Sequence, residues 1–149
     1  MIESETAAMT VGVGGARTDQ SDFVHSALLY RSRQEYLDLV ARFVGDGLAR
    51  DEAVLIAVPP DELASLRAAL GAAASGYPAE LRMDDIAEIG RNPSRFMAVV
   101  GSFADEYRNR RVRIVSQLTW AGRTDDEFVA CMEHEALLNE ALAGYRVTE

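Results

Sequence analysis

Cys131 and His134 stand three positions apart in "CMEHEALLN", residues 131 to 139, and are followed by Glu135 and Asn139; the chain has no other cysteine and one further histidine, His25. Residues three or four apart on a helix are neighbours, so the thiol and the imidazole could reach one cation, and their softness suits zinc or copper(I). Two ligands are too few for a metal centre, however. His25 begins a strand in the layout derived below, whereas His134 falls near the middle of a helix, so spacing alone does not bring the imidazoles together. A free cysteine on an apolar face also commonly acts as a small hydrophobe. Neither a metal nor any other cofactor is expected. The same pair could open a nucleophilic site, but no orienting third group or oxyanion donor pair accompanies it, and a thiol in apolar surroundings keeps a raised pKa. The chain is expected not to be an enzyme.

Glu135 and Asn139 raise a different question. On a helical wheel advancing about 100° per residue, Leu138, Cys131, Leu142, Phe128, Met132 and Ala143 make one apolar face, with Glu133 and Glu140 opposite. Glu135 and Asn139 fall inside the apolar face, four residues apart and therefore adjacent. An ionised carboxylate under a helix costs on the order of several kcal/mol unless it is paired or hydrogen-bonded. Two answers stand open: a structural ion pair with an arginine from a facing element, Arg91 or Arg123, or a pocket in which the carboxylate meets a ligand.

The elements that must position these side chains alternate along the chain. A polar arm, residues 1 to 21, precedes one domain, 22 to 149. "HSALLY", His25 to Tyr30, is an apolar run of strand length. Ser32 with Glu35 makes a capping-box pattern, and Tyr36, Leu37, Leu39, Val40, Phe43, Val44 and Leu48 share one helical face. "AVLIAV", Ala53 to Val58, is apolar on both faces, as in a central parallel strand, and Pro59-Pro60 stops it. "DELASLRAAL" follows as a helix ended by Gly71, and "AELRM" is a weaker strand. Asn92-Pro93 opens a helix to about Arg108, "VRIVSQL" is the next strand, and Thr124 with Glu127 caps the last helix.

This order predicts an α/β three-layer sandwich with a mostly parallel sheet. Ligands of such sheets gather outside the carboxyl ends of the strands, here Tyr30-Arg31, Pro59-Pro60, Asp84-Asp85 and Leu118 to Arg123. Trp120, the only tryptophan, stands there beside Gly122 and Arg123. It is either one wall of a small-molecule site, with Arg123 as its cation, or a cover over the open end of the core.

Composition removes several classes of function. A chain of 149 residues fits one domain, and its apolar runs fall short of the roughly 18 residues that a membrane span requires. A formal charge of −9 argues against nucleic acid, and the one basic cluster, Arg108, Arg110, Arg111 and Arg113, reads as a helix end leading into a strand. All fifteen basic residues are arginine, which excludes a phosphate-loop lysine and Schiff-base chemistry. "VGVGGAR", residues 11 to 17, lacks the flanking strand and helix of a nucleotide fingerprint. A single cysteine permits no internal disulfide, and residues 1 to 20 lack a secretory core, so a cytoplasmic location is expected.

Four blocks, "FVHSALLYRSRQEYL", "GLARDEAVLIAVPPDELASLRAAL", "MDDIAEIGRNPSRF" and "CMEHEALLNEAL", in that order, resemble the MEDS sensory-domain family in its actinobacterial form, over about residues 23 to 143. The resemblance implies a RecA-like outline without a phosphate loop and the sensing of small hydrocarbon-type compounds. It also implies company: a histidine-kinase-type ATPase domain in anti-sigma-factor regulators, or a DNA-binding domain. The blocks carry over His25 and Tyr30, Arg91 and Asn92, and His134 to Asn139 as site residues. The sequence departs from the family at Ala27, where many relatives carry a cysteine. It also stops at "YRVTE", where relatives continue through a further strand; residues 145 to 149 begin a strand that is truncated, joins another subunit, or frays.

Together these observations predict a cytoplasmic, non-catalytic sensor that takes a small organic ligand between the strand ends and the last helix. Trp120 would be a wall and Arg91, Glu135 or Asn139 polar anchors. The alternative is a stand-alone module, monomeric or a homodimer, that docks onto a kinase-like or sigma-regulating protein. A cavity touching Glu135 favours the first, and an exposed apolar patch near residues 145 to 149 the second.

Overall fold

The computed structural model describes residues 23–76, 79–118 and 124–149. Its centre is a four-stranded, all-parallel sheet in the order β2-β1-β3-β4, with β1 Ala53–Val58, β2 Leu81–Asp85, β3 Val112–Ser116 and β4 Val147–Thr148. β1 is fully buried along its length and explains the layering. Successive side chains of a strand point to opposite faces. Val54, Ile56 and Val58 therefore pack under α1 (Arg33–Leu48) and α2 (Pro60–Leu70). Ala53, Leu55 and Ala57 pack on the other side with residues of α4 (Pro93–Glu106) and α5 (Asp125–Ala141). The short α3 (Ala72–Gly76) extends α2 beyond Gly71. This is the three-layer α/β sandwich that the alternation predicts.

Local signals set the helix ends. The Ser32 hydroxyl accepts from the Glu35 N–H at 3.1 Å, and the Glu35 carboxylate accepts from the Arg31 N–H at 2.6 Å. Thr124 and Glu127 complete a reciprocal capping box on α5, and Asn92 caps α4. Gly71 ends α2 at a positive φ of 47° that an L side chain rarely adopts. Tyr36, Val40, Val44 and Leu48 bury the inner face of α1, the aliphatic members contributing about 1.5–3 kcal/mol each. β1 passes into α2 across Pro59 alone, which leaves no glycine loop there to cradle phosphate.

Two expectations are corrected. Residues 25–30 are not a strand: the chain is irregular there, and only Val24 forms a bridge, with Thr148. Leu28, Leu29 and Tyr30 remain about half or more exposed, so this apolar run lacks the second covered face of an inner strand. The third expected strand is shifted to Leu81–Asp85, because Val54 pairs with Leu81 and Val58 with Asp85. Residues 147–148, for which several fates stood open, form β4, which pairs with β3 on one side and with Val24 on the other.

Among the described residues, no helix is long and apolar enough to cross a membrane. The basic cluster is largely neutralised by acids, Arg108 pairing with Asp105, Arg110 with Asp51 and Arg113 with Glu52.

Candidate functional site

A cleft of about 690 Å³ opens at the carboxyl ends of β3 and β4. Topology explains it. Thr148 lies level with Arg113 on one side and Val24 on the other, and the chain that continues β3 and the segment after Val24 run on from these pairings to line the cleft. Ile114 to Leu118 form one wall and His25 to Leu28 with Tyr30 the other. Tyr36, Leu39, Val40 and Phe43 of α1 close one face, Met132 and Glu135 of α5 border the opposite face, and Thr148 and Glu149 form the floor. Tyr30 and Tyr36 stack as a tilted pair with ring centroids 5.0 Å apart.

Polar groups collect on the α5 side. His25 Nε2 lies 3.0 Å from Glu135 Oε2, both half-buried. The Glu135 hydrogen bond raises the His25 pKa above its ordinary 6.5; burial opposes this, and the charges of Glu149 and Glu135 and the Asn139 side chain assist it. Ser116 Oγ donates to Glu149 Oε1 at 2.6 Å. Burial nevertheless pushes the Glu149 carboxyl above its usual range, against the pull of Ser116 and His25. Burial likewise drives the Tyr36 phenol up to about 12, helped by the charge of Glu62.

Among the described residues, four buried side-chain polar atoms lack a hydrogen-bond partner: Tyr36 Oη, Gln117 Oε1, Glu149 Oε2 and Glu62 Oε2. The first three belong to residues that line the cleft. An unmet buried polar group costs about 1–3 kcal/mol, so three in one hollow mark a place that is not built for packing alone.

The expected site residues divide sharply. His25, Tyr30 and Glu135 line the cleft. Asn139 follows Glu135 by one turn and supports the proton on His25, though it is exposed and outside the lining. Arg91 is elsewhere: it ends the 3-10 turn Ile89–Arg91, and its Nη1 pairs with Glu127 Oε1 of α5 at 3.1 Å. Of the two arginines considered for Glu135, Arg91 is thus engaged elsewhere, and among the described residues His25 pairs with Glu135. Asn92 is a helix cap, its Oδ1 accepting from the Ser94 and Arg95 N–H groups at 3.0 and 3.3 Å. His134 Nδ1 lies 3.0 Å from the Ala130 carbonyl of its own helix. Cys131 is fully buried, with its Sγ donating to the Leu118 carbonyl at 3.5 Å. Among the described residues no group of three or more His, Cys, Asp or Glu side chains could hold a metal ion. Trp120 and Arg123 lie outside the described residues.

The helical wheel placed too much of α5 inside. Cys131, Leu138 and Leu142 are buried, but Phe128 and Met132 are half exposed and Ala143 is exposed. The stripe carrying Met132 and Glu135 borders the cleft and not the core. Tyr36, Ser116, Gln117 and Glu149 were missed as site residues. Tyr36 sits on the apolar face of α1 and reads as core; Ser116-Gln117, a polar pair ending an apolar strand at its carboxyl end, was the available signal.

A parallel sheet between helices, with a mixed-polarity cleft outside the carboxyl ends of its strands, is the arrangement in which α/β folds commonly place their ligands. Residues 24–148 match the MEDS family, described as the MEthanogen/methylotroph, DcmR Sensory domain, and the chain belongs to that family. A sensory role follows from this membership. No curated protein and no solved structure matches the chain.

The site also makes stability depend on pH. A histidine that binds its proton more tightly in the folded state stabilises the fold fully below 6.5, and this is lost as pH rises through its higher folded-state value. Glu149 acts in the same direction: with a folded pKa raised above 4.5, its ionisation disfavours the folded state as pH rises from that point. Urea midpoints are therefore expected to fall as pH rises through both windows, and His25→Gln should flatten the slope above pH 6.5. An unchanged slope in that variant would remove the His25–Glu135 pair as its cause.

Proposed function

We propose that the chain is a non-catalytic, cytoplasmic sensory domain that binds a small organic molecule in the cleft. Binding would hand a change of state to a regulator of transcription, such as a sigma-factor regulator or kinase-like ATPase. The observation that carries this is the gathering of three unpartnered buried polar atoms in one hollow beside the His25–Glu135 pair. A ligand acts as a signal to the extent that it binds one state better than another. Thr148 and Glu149 at the end of β4 and Met132 and Glu135 of α5 all line the cleft, so a bound molecule touches the sheet and a helix at once.

Thermal-shift measurements with 1-hexanol, n-hexylamine and sodium hexanoate test this. Ligand at about 100 times its Kd stabilises a fold by about 2.7 kcal/mol, a readily measured shift. Ala27 is exposed on the cleft wall, so Ala27→Trp should obstruct the site without disturbing the core and abolish the shift. A flat response across the set, or equal shifts in both proteins, would move the balance to docking.

Docking keeps one observation in its favour. Val24, Leu28, Leu29 and Tyr30, together with Phe128, Val129, Met132 and Leu137 of α5, are large apolar side chains with 44–65% exposure. They are spread over residues 24–30 and α5, and Val24 meets Thr148 of the carboxyl-terminal strand.

A further inference from the structure

We propose that the head group recognised by the cleft is a protonated amine, carried on an apolar body and bound with its N–H donors directed at Glu149 Oε2. This rests on the cleft being a ligand site, as argued above, and specifies what it takes. The unmet groups call for a donor. Gln117 Oε1 can only accept, Glu149 Oε2 accepts when ionised, and Tyr36 Oη can do either. Tyr36 is only 7% exposed, so its hydroxyl is sealed from bulk water. Among the described residues the lining holds no arginine, and the chain contains no lysine, so the one group there that can carry positive charge is His25, which Glu135 already engages.

The charges point the same way. His25 is engaged by Glu135, and Ser116 Oγ satisfies only Glu149 Oε1. A protonated His25 balances one of the two carboxylates, and a monocation at Glu149 balances the other. Charge-assisted N–H bonds to a carboxylate in a half-dry site are among the stronger polar contacts available. The overall charge of −9 adds long-range attraction for a cation.

The rest of the lining describes the body. Leu39, Val40, Phe43, Ile114 and Leu118 offer apolar wall, and the Tyr30–Tyr36 pair offers ring faces that favour a nearby cation. Strand alternation puts Ser116 on the Ile114 side, toward α5, and Gln117 on the Val115 side, with Tyr36. Gln117 and Tyr36 can thus meet a second N–H or O–H donor across the cleft from Glu149. About 690 Å³ is of the size that holds drug-sized molecules, which suits a body of several carbons.

The test is an NMR titration of the isotope-labelled full chain with n-hexylamine, 1-hexanol and sodium hexanoate at pH 7, following the amides of residues 114–118 and 149. The expected result is n-hexylamine binding about tenfold or more tighter than 1-hexanol, with hexanoate weakest. Glu149→Gln should lower n-hexylamine affinity by about tenfold and leave 1-hexanol within about twofold. If that variant does not fold, the native chain serves. Lowering the pH through the range in which Glu149 takes up a proton beside His25, Glu135 and Ser116 should weaken n-hexylamine and leave 1-hexanol unmoved. Equal affinities for amine and alcohol, preference for hexanoate, or indifference of the amine to both Glu149→Gln and pH would overturn the amine assignment while the sensor stands. No perturbation of the cleft by any of the three would overturn both.

Discussion

Arg113→Met is expected to lower the unfolding free energy by about 3–5 kcal/mol. Arg113 and Glu52 form an ion pair between Nε and Oε2 with only 9% and 7% of the residues exposed. The guanidinium also donates from Nη1 to the Phe43 carbonyl at 2.9 Å and lies 4.7 Å above the Phe43 ring. Removing it strands a carboxylate that water barely reaches, and leaving one member of a buried pair alone costs more than the pair contributes. It also takes a cation from the carboxyl-terminal half of α1, whose last turn has no basic residue of its own. Stability of a domain this size is only about 5–15 kcal/mol, so the variant should approach the unfolding threshold at ambient temperature. Gly47 reports on the same pair: a Cβ there would come within 2.6 Å of Arg113 Cδ and 2.9 Å of Nε, so Gly47→Ala must displace the guanidinium. Urea denaturation of Arg113→Met, Glu52→Leu and the double variant decides the matter. A loss under about 1 kcal/mol in both single variants, or a double variant no better than the worse single, would show that desolvation is not the controlling cost.

How much of this could be read beforehand follows the range of the interactions. Ser32, Gly71 and Thr124 each mark a helix end through contacts within four residues, so the sequence carried them openly. β1 was legible because six apolar residues in a row suit only a strand covered on both faces. "HSALLY" has a similar composition, but whether a second face is covered depends on elements far along the chain, and here it is not. β4 is two residues long and gains its identity from partners on β3 and at Val24. The candidate site was half legible for the same reason. A wheel shows that Glu135 and Asn139 adjoin, yet it does not show which sector of α5 the sheet covers. The partner of Glu135 was therefore sought among the arginines, while the fold supplied His25. Arg91 was already committed to Glu127, the capping-box partner of Thr124, and Gln117 and Glu149 acquire their place only when β4 pairs beside β3.

Leu138→Ala is expected to destabilise the chain by about 2–5 kcal/mol, with the loss concentrated in α5. α5 runs for 17 residues, but only Cys131 and Leu138 within it are buried, with Leu142 just beyond its end. Phe128, Val129, Met132 and Leu137 are half exposed and contribute little anchorage. By contrast, α1 seats Tyr36, Val40, Val44 and Leu48 against β1, so these two helices are held with different strength. Elements with few buried apolar contacts open at lower free energy than the core. Truncating the fully buried Leu138 should therefore let α5 open as a unit, carrying Glu135 away from His25. Amide exchange should then accelerate along residues 125–141 far more than in β1, and the dependence of stability on pH above 6.5 should shrink because the proton on His25 has lost its hydrogen bond to Glu135. Equal acceleration in β1 and α5 would mean that the helix is an inseparable part of the core. In that case a ligand at its rim would have no loosely held element to move.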